Sequence, residues 1–208
     1  MSEFEFFFSF FGLIFGLIVA EVAIKFADAI DGHAHRPIGI LSPMLALFVL
    51  CDVTGYWMFI WSIRDAIYIS YGTVILALAV AIAYFLSAAL IFPRSEKGWA
   101  TLDEHFWARK RYVLTGIIFA SCLQVGILMT RSTPRLDDFW FFFWQATYYG
   151  PIAVLWFSRS RRANIAALAI LVAYYPFDAL NVFPDSAWGQ SVGTPQTPAS
   201  TLAAPAPK

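Results

Sequence analysis

Charged residues are scarce in this sequence of 208 residues: Asp, Glu, Lys and Arg make up 13%, about half of their share in an ordinary soluble domain. Acidic and basic residues balance at 14 each, so the chain lacks the basic surface that nucleic acid binding requires. The two cysteines, Cys51 and Cys122, lie inside apolar runs, which excludes a disulfide framework and a CxxC metal motif. Walker A, HExxH, GxSxG and Rossmann motifs are also absent from the sequence. We therefore expect no nucleic acid partner, and no motif indicates a reaction.

Hydrophobic residues, by contrast, make up 60% of the chain and aromatic residues 18%, with a mean hydropathy of +0.65. A soluble protein would expose too much of this surface to water, whereas a lipid bilayer accommodates it. Six apolar segments reach the length of about 20 residues that a helix needs to cross a membrane: residues 5–27, 39–63, 67–92, 110–130, 138–158 and 163–183. Barrel strands are shorter and alternate in polarity. The sequence therefore predicts an all-α polytopic integral membrane protein, with a bundle of six transmembrane helices in residues 1–183.

The last segment differs in composition from the rest of the chain. Residues 184–208 contain five prolines among Ser, Thr, Ala and Gly, with no aromatic residue after Trp188. Such a segment buries too little apolar surface to order itself, so we expect a disordered tail.

The basic residues predict the orientation, because Lys and Arg in short loops stay in the cytoplasm. Ten of the fourteen fall in or near the first, third and fifth connections: Lys25, Arg36, Arg94, Lys97, Arg109, Lys110, Arg111, Arg159, Arg161 and Arg162. The opposite face has Arg64, Arg131, Arg135 and Lys208. Both termini are therefore expected outside the cytoplasm. In the third connection, Thr101 and Glu104 form a capping-box pattern, which predicts that a helix starts at Thr101 and runs into the fourth span.

Three acidic residues lie inside the apolar segments, where an ionisable group costs about 2.5–3.5 kcal/mol at the centre of a helix. Asp52 lies near the middle of the second segment, with no charge between Arg36 and Arg64. Glu21 lies in the first segment, four residues before Lys25, in the order that favours a same-face ion pair. Asp178 lies near the end of the sixth segment, one turn before Asn181. The candidates for a transport pathway are Asp52, Glu21, Lys25, Asp178, Asn181 and Gln124.

Each acidic residue also has a purely structural interpretation. Lys25 extends to the cytoplasmic interface and Glu21 partly neutralises it, while Asp178 caps a distortion caused by Pro176. Asp52 is either part of an ion or proton path, or a hydrogen-bonding group that holds helices together. Its candidate hydrogen-bond partners near mid-span are Thr54, Gln124 and Tyr148.

Glycine and proline suggest two further features. Gly150 and Pro151 fall near the centre of the fifth segment and predict a kink, of the kind that lines sites in transporters but also occurs in ordinary packing. Gly12 and Gly16 form a GxxxG pattern, which permits close helix contact within one chain or in a homo-oligomer.

The three histidines, His33, His35 and His105, fall on the predicted cytoplasmic face. Together with nearby acids, these three histidines form at most a loose metal-ligand pattern, and solvated loop residues explain them better. We therefore expect no metal and no cofactor, and an enzyme is the least favoured class.

Two functions fit these features. The first is passage of a proton, a cation or a small solute through a bacterial-type inner (plasma) membrane, with Asp52 at its centre. The second is a non-catalytic membrane subunit, sensor or scaffold that docks a partner through its cytoplasmic loops and aromatic flanks. In both, the lipid bilayer is the main partner.

Overall fold

The computed structural model describes residues 2–32, 38–93, 99–130, 132–180 and 182–193. Within these ranges the chain is helical and contains no strand, which confirms the predicted all-α class. The helices are α1 (Glu3–Asp31), α2 (Leu41–Ser62), α3 (Tyr71–Ala89), α4 (Leu102–Met129), α5 (Phe139–Phe157), α6 (Arg161–Ala179) and the short α7 (Ala187–Gly193), with one 3-10 turn at Arg64–Ala66.

Side-chain caps fix the start of most of these helices. The hydroxyl of Thr101 accepts a hydrogen bond from the Glu104 N–H at the start of α4, so the predicted helix start is confirmed. Ser2 forms a full capping box with Glu5 at the start of α1. Such caps satisfy backbone N–H groups that have no partner inside the helix.

Four helices, α1 to α4, are long and apolar enough to cross a membrane. The helices α5 and α6 have 19 residues each, as α3 does, but do not meet the same criterion of composition. Trp, Tyr and Gln residues dilute the apolar character of α5, and α6 carries Arg161, Arg162 and Asp178 near its ends.

Successive helices run in opposite directions. Phe8 near the start of α1 stacks on Trp57 near the end of α2, and Phe26 of α1 lies beside Phe92, just after α3. We call the end that holds residues 63–70 and 132–138 the upper end, and the end that holds residues 90–93, 99–101 and 158–160 the lower end. The helix α2 is central, since it packs against α1, α3, α4 and α6.

Polar contacts tie the connections together at the lower end. Lys110 of α4 is buried and donates to the Ser158 carbonyl at 2.7 Å and to Asn164 Oδ1 at 2.9 Å. Asp103 accepts the Leu41 N–H at the start of α2 and pairs with Arg161 at 3.4 Å. The first turns of α2, α4 and α6 are therefore held to one another.

The segment predicted as a disordered tail begins with an ordered element. Trp188 of α7 is buried against Phe141, its backbone N–H donates to Asp138, and its indole N–H donates to the Ser132 carbonyl at 2.7 Å. This aromatic anchor and its hydrogen bonds hold the short helix although the segment contains few apolar residues. Residues 194–208 of the predicted tail lie outside the described residues.

Candidate functional site

Three tyrosines from three helices converge on the Asp52 carboxylate in the middle of α2. Tyr84 of α3 donates to Oδ2 at 2.9 Å. Tyr148 of α5 and Tyr175 of α6 both donate to Oδ1, at 3.0 and 2.5 Å. Asp52 is 6% exposed, so this cluster is the buried polar centre of the bundle. We call these four residues the Asp52 cluster.

The hydrogen bonds of the Asp52 cluster suit an ionised carboxylate, which accepts and does not donate. Each carboxylate oxygen offers about two acceptor positions. Tyr148 and Tyr175 use both positions on Oδ1, while Tyr84 uses one on Oδ2. No salt bridge within the described part of the chain includes Asp52. An ionised Asp52 would therefore have one acceptor position left on Oδ2.

A glycine lets α6 approach α2 closely enough for this contact. Gly55 lies three residues after Asp52, and a Cβ placed on it would lie 2.9 Å from Cε1 of Tyr175. That distance is shorter than van der Waals contact, so any larger residue at position 55 would displace the Tyr175 ring. The close approach of these two helices depends on Gly55.

A cavity of about 270 Å³ reaches the Asp52 cluster from above. Apart from Tyr84 of α3, its lining comes from the middle and upper halves of α2, α4, α5 and α6. Polar groups on its wall include Ser121, Gln124 and Gln145. Asp52 is therefore accessible through the interior of the bundle although its side chain is buried.

A wider crevice of about 890 Å³ adjoins this cavity towards the upper end. The two spaces share wall residues on α2, α5 and α6, including Gly55, Gln145 and Asp178. Asp178 and Asp185 are exposed, and α7 forms part of the crevice wall. The two spaces together form a pathway from the upper surface to the Asp52 cluster.

Below the Asp52 cluster the bundle is closed by packed apolar side chains. Phe48 of α2, Ile117 of α4 and Leu171 of α6 are all fully buried, at 0% exposure. They belong to the continuous hydrophobic core of the bundle. The pathway is therefore open at one end only.

The predicted partners of Asp52 have different positions. Tyr148 is confirmed as a partner, and Gln124 lies on the cavity wall. Thr54 instead donates to the Leu50 carbonyl of its own helix at 2.8 Å. The other two tyrosines, Tyr84 and Tyr175, were missed, because a tyrosine in an apolar segment gives no signal of the direction in which its hydroxyl points.

The predicted ion pair between Glu21 and Lys25 on α1 is wrong, because Lys25 has a different partner. Lys25 lies 3.9 Å from Asp28, one turn towards the end of the helix, and not against Glu21. Neither Glu21 nor Lys25 lines the cavity at Asp52. A charge beside the exposed end of α1 offers Lys25 a solvated partner, which costs less desolvation than a partner deeper in the apolar segment.

Prolines do not interrupt α5 or α6, and both helices continue through Pro151 and Pro176. Gly150 has no atom within 4 Å of a Cβ placed on it. Pro151 is buried, and neither Gly150 nor Pro151 is among the described residues that line the cavity at Asp52. The predicted kink at these two residues stays a prediction. Asn181, the last pathway candidate, lies outside the described residues.

The histidine hypothesis is only partly covered by the structure. His33 and His35 lie outside the described residues, while His105 is buried in α4 beside Trp99. The described ranges contain no group of three or more His, Cys, Asp or Glu side chains that could hold a metal ion.

Comparisons with protein-family models, curated proteins and solved structures find no match to this chain. The geometry of the Asp52 cluster and its pathway therefore carries the functional proposal.

Proposed function

We propose that this protein is a membrane transporter of protons or other cations, in which Asp52 is the cation-binding group. The observation that carries the proposal is a buried carboxylate at the end of a pathway, with three phenol donors and no basic partner among the described residues. A buried negative charge is costly unless it is compensated. A proton or a cation that enters from the upper end supplies that compensation.

The depth of the Asp52 cluster supports six membrane spans. Asp52 lies at the middle of α2, and Tyr148, which contacts it, lies at the middle of α5. The centre of α5 therefore lies at the same depth as the centre of a helix that is apolar enough to span. A helix of 19 residues is about 28 Å long, close to the hydrocarbon thickness of about 30 Å. In this proposal α5 and α6 span the membrane with the other four helices.

The orientation in this proposal follows the basic residues. The lower end holds Arg109, Lys110, Arg111, Arg159 and Arg161 and faces the cytoplasm, while the upper end and both termini face outwards. The membrane is the inner (plasma) membrane of a bacterial-type cell. The open pathway then receives its cation from outside the cell.

A pathway open at one end favours alternating access over a continuous pore. Transporters commonly bind their substrate near the membrane midplane and expose the site to one side at a time. The closed lower end would have to loosen before release, and the contacts of Lys110 and Asp103 are the polar ones that would open. Binding without release would instead make the protein a sensor or a subunit of a membrane complex.

The test compares purified wild-type protein with Asp52→Asn in proteoliposomes under imposed proton, sodium or potassium gradients. Asn has nearly the same shape as Asp but does not bind a proton near neutral pH. We expect flux in the wild type and its loss in Asp52→Asn, with the folded protein retained in a thermal unfolding assay. Asp65→Asn is the matched control, because Asp65 is exposed in the link between α2 and α3.

Two outcomes would count against transport. Equal flux in wild type and Asp52→Asn would show that Asp52 does not take part in transport. Absence of wild-type flux under every gradient would favour the sensor or subunit function.

A further inference from the structure

We infer that the cavity at Asp52 binds a small organic ammonium ion. The inference rests on the proposed role of Asp52 as the cation-binding group and specifies the class of cation. Three features of the cavity support it: its aromatic wall, the acceptor position on Asp52, and its size.

The wall of the cavity is built largely from aromatic rings. Half of the fourteen residues that line it are Tyr, Trp or Phe, and none of the described lining residues is Lys, Arg or His. Trp144 and Tyr174 meet edge to face with centroids 5.1 Å apart, and Tyr174 lies 6.0 Å from the ring of Tyr148. Aromatic faces attract organic cations, by about 2 kcal/mol or more where water is excluded. This wall therefore favours a cation that carries its charge on an organic group.

The Asp52 carboxylate offers a place for an N–H donor. Both acceptor positions on Oδ1 are occupied by tyrosines, whereas Oδ2 accepts only from Tyr84. An ammonium N–H that donates to Oδ2 would fill the remaining acceptor position, and its positive charge would neutralise the carboxylate. Hydrogen bonds between charged groups are about twice as strong as neutral ones, so this contact would fix the orientation of the ligand.

The size of the cavity favours an organic ion over a bare metal ion as the ligand. A volume of about 270 Å³ corresponds to about nine water molecules at about 30 Å³ each. A hard divalent cation such as Ca²⁺ needs six to eight oxygen ligands, whereas the described residues of this wall include two carboxylates, Asp52 and Asp178. An ammonium ion with a small apolar group would fill the volume and contact the rings.

The upper crevice would favour the same class of ligand. Asp178 lies on the wall shared by the crevice and the cavity, and Asp185 lies on the crevice wall. Acidic residues along a low-dielectric cleft raise the local concentration of cations. An organic cation would therefore meet negative charge along the whole pathway.

The experiment compares two ligands of the same shape, benzylammonium and neutral benzyl alcohol, by calorimetric titration of the full chain in detergent at pH 7. We expect benzylammonium to bind at least about tenfold more tightly, which corresponds to about 1.4 kcal/mol. Asp52→Asn should abolish this preference. Trp144→Leu should weaken benzylammonium binding by about tenfold, whereas Trp140→Leu, on the same helix and outside the cavity lining, should not.

Equal binding of the two ligands to the wild type would overturn the inference, and so would an equal effect of the two tryptophan variants. Neither comparison needs a mutation at Asp52, so both remain informative even if Asp52→Asn fails to fold. Flux of protons, sodium or potassium that depends on Asp52, without benzylammonium binding, would keep transport and reject the ligand class. Benzylammonium binding without flux of protons, sodium, potassium or benzylammonium itself into proteoliposomes would keep the ligand class and reject transport.

Discussion

At the scale of the residue, three phenol hydroxyls donate to the buried Asp52 carboxylate, and no basic group within the described residues pairs with it. Hydrogen bonds to a charged group contribute about 1.5–3 kcal/mol each, so three of them would offset part of the desolvation cost of an ionised carboxylate. A proton or a bound cation would offset the rest. The single vacant acceptor position on Oδ2 keeps Asp52 receptive to a proton or a cation.

The ionisation state of Asp52 can be tested by removing one tyrosine hydroxyl. Tyr84→Phe keeps the ring in its buried site and removes the donor to Oδ2. We expect the free energy of unfolding to fall by about 1.5–3 kcal/mol, the range for a hydrogen bond to a charged group. A thermal or denaturant unfolding series in detergent would measure the change, with Tyr112→Phe as the control, since Tyr112 is 60% exposed.

A loss near 0.6 kcal/mol, the average for an interhelical hydrogen bond in a membrane protein, would contradict an ionised Asp52. It would indicate instead a neutral acid that serves as a polar contact between helices. The two magnitudes are far enough apart to separate these states.

The sequence predicted Asp52 because a lone acid in an apolar segment is costly and therefore informative. It also predicted Tyr148 among three candidate partners. Tyr84 and Tyr175 lay beyond prediction, since the rotation of α3 and α6 about their axes decides whether their hydroxyls reach Asp52. That rotation depends on packing between helices distant in sequence.

At the scale of the helix, the approach of α6 to α2 decides whether the Asp52 cluster forms. Tyr175 reaches Asp52 across the face of Gly55, where a Cβ would come within 2.9 Å of the ring. Gly150, the glycine that the sequence made prominent through its neighbour Pro151, has open space around it. Only the packed structure separates a glycine needed for contact from one on a free surface.

The two glycines therefore make a matched pair of variants. Gly55→Ala should reduce the free energy of unfolding by about 1–3 kcal/mol, as expected for overpacking, and should also weaken cation binding by displacing Tyr175. Gly150→Ala should be neutral or stabilising by up to about 1 kcal/mol, because alanine favours a helix over glycine. Unfolding in detergent would measure both, and an equal effect of the two variants would contradict the role of Gly55.

At the scale of the whole molecule, the bundle is asymmetric between its ends. The upper end contains the crevice and the exposed acids Asp178 and Asp185, whereas the lower end is held by the buried Lys110 and its partners. Four helices are long and apolar enough to cross a membrane, and the proposal adds α5 and α6 because the Asp52 cluster lies at the middle of the bundle. The helix α5 is less apolar than these four because Trp144, Gln145 and Tyr148 line the cavity.

Thiol labelling in intact cells tests both the number of spans and their direction. Single cysteines are introduced at Ser2, Ala100, Leu136 and Ser160 in a chain without Cys51 and Cys122, and an impermeant reagent is added. With six spans and both termini outside, Ser2 and Leu136 are labelled, while Ala100 and Ser160 are protected until the cells are permeabilised.

The decisive position is Ser160, in the link between α5 and α6. If only α1 to α4 crossed the membrane, this link would lie on the same side as Leu136, and Ser160 would react in sealed cells. Reaction at Ala100 and protection of Ser2 would instead reverse the orientation, and the open pathway to Asp52 would then face the cytoplasm.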